Sequence, residues 1–345
     1  SIPITLVASL GTGARQGVLI KGGVYVEELA KVKVVAMDKT GTLTRGEPEV
    51  TDVIVSRSVA RTREQILAIA AGIERRSEHP LARAIVRHAE AERVAPVEIN
   101  DFRALTGAGA SARLNGSTVY IGNPDLFQSR LGVALESVWD DINHLQGEGK
   151  TVAVIGDEKA PWGLIAIRDN IRSNAAKAID ALHAAGAQKV VMLTGDNERT
   201  AQAIARELGI DEIYADLKPE DKVTKVRELS ERYGHVAMVG DGVNDAPALA
   251  EATVGIAMGA AGTDVALETA DVALMADDLE KLAYALKLAK RNQSVVNQNL
   301  ALSALVIGAL VIGAVAGVFT LPIAVLGHEI SEFVVIGSGL RMLKA

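Results

Sequence analysis

The sequence predicts an α/β fold: a doubly wound, mostly parallel sheet, split by an inserted α+β region and followed by apolar helices. Three observations predict it. Short β-rich runs (Val190 to Leu193, Val236 to Val239, Val254 to Met258, Val272 to Met275) alternate with helix-like stretches (Ala175 to Ala185, Asn197 to Leu208, Pro219 to Arg232). A further apolar run, Val32 to Met37, stands far upstream, so what lies between is an insertion. Leu300 to Val318 has no charged residue over 19 positions, long enough to cross a bilayer.

Taken in order, Ser1 to Ile20 is mostly apolar and small and reads as the cytoplasmic half of a transmembrane helix, too short to span alone. Val24 to Leu29 begins a link into the strand Val32 to Met37. The insertion opens with a strand at Val50 to Val55 and helices at Thr62 to Arg76 and Pro80 to Arg93. Short strands follow at Phe102 to Leu105, Ala110 to Leu114 and Val119 to Ile121. Helix-like stretches come next, at Pro124 to Leu131 and Leu135 to Gln146. Val152 to Ile155 and Trp162 to Ile167 close the region as strands. Leu321 to Leu340 is a second apolar stretch, but it carries His328, Glu329 and Glu332. Lys287, Lys290 and Arg291 precede the first span and Arg341 and Lys344 follow the second. The positive-inside rule therefore puts both outer ends in the cytoplasm and the hairpin tip outside. The expected division is 1–23, a partial membrane helix and its extension; 24–48 and 161–288, the two parts of the doubly wound domain; 49–160, the insertion; and 289–345, two transmembrane helices.

Composition narrows the function. The 345 residues suffice for two or three domains, and hydrophobic residues make up 49%. Mean hydropathy is positive, +0.21, as for membrane segments joined to soluble ones. A net charge of −7 argues against nucleic acid as a main partner. With no Cys there are no disulfides and no thiolate metal sites within the chain.

Four motifs sit where strands give way to loops. Asp38-Lys39-Thr40-Gly41-Thr42-Leu43-Thr44 sets a carboxylate nucleophile at the end of a buried strand, the place for a covalent aspartyl-phosphate. Thr194-Gly195-Asp196 offers a hydroxyl and a Gly N–H to phosphate oxygens beyond a strand end; alone, a plain turn would look the same. Lys222 lies one turn into a helix begun by Pro219, where an ammonium can neutralise a phosphoryl group as a point charge; singly, a surface Lys reads equally well. Gly240 to Pro247 (GDGVNDAP) gathers Asp241, Asn244 and Asp245 in a Gly-rich loop, a hard oxygen site suited to Mg²⁺.

In this order and on these strand ends, the motifs resemble those of the P-type ATPases, within the wider haloacid-dehalogenase-like phosphotransferases. The resemblance implies that Asp38 takes the γ-phosphoryl group of ATP. Thr40 would contact the phosphate and offer its backbone carbonyl to Mg²⁺, and Thr194 and Lys222 would bind the phosphate. Lys39, Gly195 and Asp196 complete the catalytic set. Asp241 would be the main Mg²⁺ ligand, with Asn244 and Asp245 holding the loop and Asp38 sharing the ion. Soluble phosphatases of the superfamily carry a second Asp two residues after the nucleophile. Thr40 stands there instead, and a Thr cannot do general acid–base work near neutral pH.

Ser77-Glu78-His79-Pro80-Leu81-Ala82 in the insertion resembles the nucleotide-domain signature of the heavy-metal branch, although a His before a helix-starting Pro is also an ordinary cap. The resemblance makes Glu74, Glu78, His79, Gly107, Gly109, Gly122 and Asn123 the nucleotide-binding set. It extends over nearly the whole chain, and it implies an upstream Cys-containing metal motif and a Thr-Gly-Glu actuator domain that this sequence does not contain. The chain therefore reads as the C-terminal half of a pump, with the missing N-terminal half as a partner.

Ionisable groups inside a membrane are functional by default. His328 and Glu332 are four apart on one helix face, with Glu329 adjacent. Imidazole and carboxylate suit a borderline divalent cation such as zinc or cobalt better than Cu(I), and a His-Glu pair in the last helices resembles the cobalt/zinc-type subgroup, though Ile330, Ser331 and Glu332 depart from its pattern; the resemblance to that branch implies zinc, cobalt or cadmium as the ion. An internal ion pair is the competing account. The function expected is ATP-driven export of a divalent heavy-metal cation, with the chain integral to a membrane, taken as the plasma membrane, and its catalytic domains in the cytoplasm. The alternatives are a membrane-tethered phosphatase and a non-catalytic regulatory fragment.

Overall fold

The computed structural model describes residues 2–241, 245–259, 268–275 and 278–344. The first sheet is built from β1 (Val18–Ile20), β2 (Val34–Asp38), β9 (Lys189–Leu193), β10 (Glu212–Tyr214), β11 (Val236–Gly240), β12 (Val254–Ala257) and β13 (Val272–Leu274). Their spatial order is β1-β13-β12-β11-β2-β9-β10. All neighbours are parallel except β1, which runs antiparallel to β13. Every residue of β2 is buried, as a central parallel strand covered on both faces requires. Val35 and Met37 face a layer of α2 (Gly23–Lys31), α6 (Ala175–Ala184) and α7 (Glu198–Leu208). Val34 and Ala36 face α8 (Pro219–Tyr233) and α9 (Ala246–Glu251). Residues 24–29, expected as a link, lie inside α2, because Val26 and Leu29 share a helix face and are fully buried in that layer. Strands β1 and β10, three residues each, are too short to leave a periodic pattern.

The second sheet is antiparallel throughout, in the order β3-β8-β7-β6-β5-β4. Its strands are β3 (Thr44–Val55), β4 (Asn100–Leu105), β5 (Gly109–Leu114), β6 (Ser117–Gly122), β7 (Thr151–Gly156) and β8 (Pro161–Ile171). The helices α3 (Arg63–Glu74) and α4 (Pro80–Ala91) pack on one face of this sheet, over Val50 of β3, Ala110 of β5, Ile121 of β6 and Ile165 of β8. The entering strand β3 and the leaving strand β8 pair from Thr44↔Ile171 to Val55↔Gly163. One two-stranded ribbon therefore joins the insertion to the first sheet, and 161–171 lies in the second sheet rather than past its end. The helix expected over 124–131 is a short turn, Leu126–Arg130, and the next one, α5 (Trp139–Gly147), starts four residues later than expected, at Trp139 rather than Leu135.

Three further helices complete the chain: α1 (Ile2–Arg15), α10 (Glu280–Val315) and α11 (Leu321–Gly339). Both C-terminal helices are long and apolar enough to cross a membrane. The first turns of α10 are buried against the first sheet at Leu282, Ala285, Leu286 and Ala289, whereas Leu305, Ile312 and Val315 are exposed apolar residues. Buried polar side chains tie α1 to α10 and to the turn that follows α11. Ser9 donates to Asn292 Oδ1 at 2.8 Å, and Thr12 donates to the Met342 carbonyl at 2.9 Å.

Candidate active site

The carboxyl ends of β9, β2 and β11 lie side by side, since Asp38 is level with Leu193 and Met37 with Val239. Asp38 ends β2, and Thr194 and Asp241 follow directly on its neighbours β9 and β11, the position where open α/β sheets bind ligands. Lys222 arrives from the first turn of α8, which Pro219 opens and whose Asp221 side chain accepts the Lys218 N–H at 3.0 Å. Its Nζ lies 2.5 Å from Asp38 Oδ1 and 2.7 Å from Asp245 Oδ1. Asp38 and Asp245 are both buried, 6% and 1% exposed, so the ammonium is what allows two carboxylates to share this space. Burial pushes the Asp38 carboxyl up to about 7 and Asp245 adds to the rise, while Lys222 and Lys39 pull it back. Burial, the largest influence on Lys222, lowers its pKa, but Asp38 and Asp245 together outweigh it and the net shift is upward.

Lys39 is buried and pairs with Asp196, Nζ to Oδ2 2.6 Å. Thr194 is buried, and its hydroxyl accepts the Asp196 N–H at 3.1 Å; Gly195 is exposed beside it. Thr40 is exposed in an extended conformation and Gly41 turns with φ +75°. A Cβ on Gly41 would lie 3.6 Å from the Asp241 Cβ, which puts Asp241 against the loop that carries Asp38. Asn244 lies outside the described residues.

The residues present fit Mg²⁺. The Asp245 Oδ2 atom is buried with no hydrogen-bond partner among the described residues. The described residues hold no group of three or more His, Cys, Asp or Glu poised for a metal. One or two carboxylates completed by phosphate oxygens and water are what Mg²⁺ takes, rather than an all-protein cage.

Two residues that the motif reading missed hold this loop. Arg172, buried, donates from Nε to the Thr42 carbonyl at 2.7 Å and from its other guanidinium end to the Gly41 carbonyl at 3.0 Å. Asp169 accepts the Thr44 hydroxyl at 2.5 Å and the Glu47 N–H at 3.2 Å. The only signal was the cluster Arg168-Asp169-Asn170-Ile171-Arg172 closing an apolar strand.

The nucleotide candidates form two local groups on one core. Gly109 and Gly122 face each other across β5 and β6, while the Asn123 N–H donates to the Ala108 carbonyl at 2.9 Å and its side chain to the Gly107 carbonyl at 3.4 Å. Glu74 ends α3 and His79 caps α4, its Nδ1 accepting the Leu81 N–H at 3.3 Å. This leaves Nε2 as the free donor of a neutral ring. Burial raises Glu74 to about 7 against the lowering effect of Ser77, and desolvation lowers His79. Glu78 is exposed, and its carbonyl accepts from Arg83 at 3.0 Å. Among the described residues no hydrogen bond joins Glu74, Glu78 or His79 to the glycine group. In α11 the His328 Nε2 and Glu332 Oε1 are 3.7 Å apart, and His328, Glu329 and Glu332 are all exposed.

Comparison with known proteins gives this geometry its relatives. Residues 32–253 match the haloacid dehalogenase-like hydrolase family. The chain is 43% identical over 348 residues to the cadmium-transporting ATPase of Staphylococcus aureus, covering all of this chain and 48% of that protein. It is 41% identical over 344 residues to the manganese-exporting P-type ATPase of Mycobacterium tuberculosis, again over the whole chain and 48% of the relative. The chain thus spans about half the length of the curated relatives it matches. A zinc-transporting PIB-type ATPase in the E2.Pi state superposes with TM-score 0.74 at 40% identity, over 99% of this chain and 55% of that one. The catalytic domain of the CPx-ATPase CopB-B superposes with TM-score 0.61 at 30% identity, over 81% of this chain and 98% of that one. The chain belongs to the haloacid dehalogenase-like hydrolases and, within them, to the P-type ATPases.

Proposed function

We propose that this chain carries the ATP-dependent phosphorylation machinery of a pump that exports a divalent heavy-metal cation across a membrane. The observation that carries the reading is the buried Asp38–Lys222–Asp245 cluster at the carboxyl ends of three adjacent strands. Asp38 Oδ attacks the γ-phosphorus of ATP in line. The new P–O bond forms as the bond to the β–γ bridging oxygen breaks, and ADP leaves with the electron pair. Lys222 neutralises charge on the phosphoryl group, and the Thr194 hydroxyl and Gly195 N–H orient its oxygens. Asp38, Asp241 and the Thr40 carbonyl would hold Mg²⁺, with Asn244 and Asp245 supporting the loop. The ion supplies charge neutralisation at the phosphate. Thr40 cannot activate water, so the aspartyl-phosphate persists long enough to drive transport rather than hydrolyse at once. Glu74, Glu78, His79, Gly107, Gly109, Gly122 and Asn123 bind the nucleotide, and His328, Glu329 and Glu332 contact the transported ion, for which zinc and cobalt fit the donor set and the cadmium-transporting relative adds cadmium.

The test is labelling with γ-labelled ATP and Mg²⁺. Asp38→Asn keeps the shape of the side chain and removes the nucleophile, so the acid-stable, hydroxylamine-sensitive label should vanish. Undiminished label in the variant overturns the assignment.

A further inference from the structure

The insertion does more than hang from its two-stranded ribbon: one corner of it is docked on the first sheet's layer. The Thr200 hydroxyl on α7, fully buried, donates to the Lys150 carbonyl at 3.0 Å. Its oxygen in turn accepts from Asn197 Nδ2 at 3.0 Å, and Asn197 caps the same helix through the Thr200 N–H. The next residue of the insertion, Thr151, donates to Asp196 Oδ1 at 3.3 Å. Asp196 holds Lys39, the neighbour of Asp38. Gly149 fits closely over α7: its φ is +77°, and a Cβ there would meet Ile204 at 3.3 Å. Arg199 of α7 bonds Asn143 of α5 at the same corner. The Lys150 ammonium is not spent on α7. It lies 2.8 Å from Asp52 and 2.6 Å from Glu148, both within the insertion, which stiffens the segment that docks.

We propose that Thr151 and Thr200 form a docking latch that holds the insertion against α7, so that a nucleotide carried by the insertion meets Asp38. Both are positioning residues: neither touches the reacting atoms. This rests on the reading of Asp38 as the phosphorylated residue and of the insertion as the nucleotide carrier. The physical reason is proximity. Two elements joined by a β-ribbon can swing, and phosphoryl transfer depends on in-line placement. A hydrogen bond that forms only in the docked arrangement raises the docked population, and with it the transfer rate. It does not alter nucleotide affinity, because the nucleotide candidates lie elsewhere on the insertion. A phosphoryl donor small enough to reach Asp38 unaided has no use for the latch.

The experiment uses the full chain in detergent, with Thr200→Val as the principal variant because Val is nearly isosteric and the site is dry. Thr200→Ser serves as the rescue, and Thr151→Val as the second variant. Three quantities are measured: single-turnover labelling from saturating ATP, labelling from acetyl phosphate, and the Kd for ATP. Loss of one such bond predicts about fivefold slower labelling from ATP. Labelling from acetyl phosphate and the Kd for ATP should be unchanged in Thr200→Val, and Thr200→Ser should restore the rate. Unchanged labelling from ATP overturns the latch. Equal slowing from both donors also overturns it, since the residues would then act on the loop at Asp38 itself. A Kd weakened by the same factor as the rate overturns it in favour of a nucleotide contact. Hydrogen exchange at residues 149–151 and in the first turn of α7 reads docking without any chemistry, and it should accelerate in both Val variants. If the unaltered chain labels from neither donor, the reading of Asp38 fails, and the exchange measurement still decides the latch: no acceleration overturns it.

Discussion

At the scale of single residues, the arrangement is governed by what burial does to charge. Asp38, Asp245 and Lys222 are tolerable in a nearly dry site only together, and removing Lys222 would leave two carboxylates facing each other without a counter-ion. Glu74 is a different case, because no cation near it lowers its pKa and burial alone raises it to about 7. Its folded pKa therefore lies above the ordinary carboxylate value of 4.5, and the folded state binds the proton more tightly than the unfolded one. By linkage, this residue costs no stability below about pH 4.5 and an increasing amount as pH rises toward 7, after which the cost is constant. Glu74→Gln should remove that dependence. The variant should match the native chain near pH 4 and exceed it by about 1–2 kcal/mol at pH 8, after discounting for partial solvent access. Denaturant unfolding at the two pH values measures the difference, and a variant no more stable at pH 8 refutes the account.

At the scale of elements, the informative contrast lies between two nearby glycines, Gly107 in the turn before β5 and Gly109 at its start. Gly109 has φ +149°, and a Cβ there would sit 2.1 Å from the Ile121 carbonyl oxygen and 2.5 Å from the Gly122 Cα. Gly107 has φ +71° with open space around it. Gly109→Ala must therefore force β5 away from β6 and should destabilise the second sheet by about 3 kcal/mol or more. Gly107→Ala carries only the strain of a left-handed alanine, about 1 kcal/mol. Thermal unfolding of the two variants should separate them clearly. If they melt alike, the tight pairing at Gly109 and Gly122 is not what requires glycine there, and a ligand constraint has to be sought instead.

At the scale of the whole molecule, α10 runs without a break from the layers around Asp38 into a segment apolar enough to cross a membrane. Its 36 residues span roughly 54 Å, against a hydrocarbon core of about 30 Å, so its first turns are free to pack on α2 and α6 while the rest is still long enough to cross a bilayer. Edge strand β1 follows α1, and β13, paired with β1, lies just upstream of α10. That edge is therefore continuous with two helices that Ser9 and Asn292 join. The proposed ion contacts lie further along, in α11. In the complete pump, His328→Ala and Glu329→Ala should each abolish metal-stimulated ATP hydrolysis. Labelling of Asp38 from inorganic phosphate, which needs no transported ion, should survive. Retained stimulation by zinc and cobalt in both variants would place the ion site elsewhere and leave the His328–Glu332 pair as a structural contact.

From the sequence alone came the alternation that makes a parallel sheet, the loops at the ends of β2, β9 and β11, and the two apolar helices. All of these rest on local signals: runs of Val and Ile, Gly and Asp at strand ends, and long stretches without charge. The family resemblance was legible for the same reason, since the DKTGTLT, TGD and GDGVNDAP motifs are contiguous. Only the tertiary structure decided which residues meet. Lys222 stands 184 positions from Asp38 in the chain, and no periodicity indicates that it bridges Asp38 to Asp245. Arg172 reaches carbonyls of the loop after β2 because β8 returns beside β3, a pairing set by the ribbon and not by any local pattern. Thr151 and Thr200 look like ordinary strand and helix residues until the insertion is seated on α7. Short-range preferences settle what each segment becomes, whereas long-range contacts depend on burying both sheets at once. That is why the elements could be read in advance and the contacts between them could not.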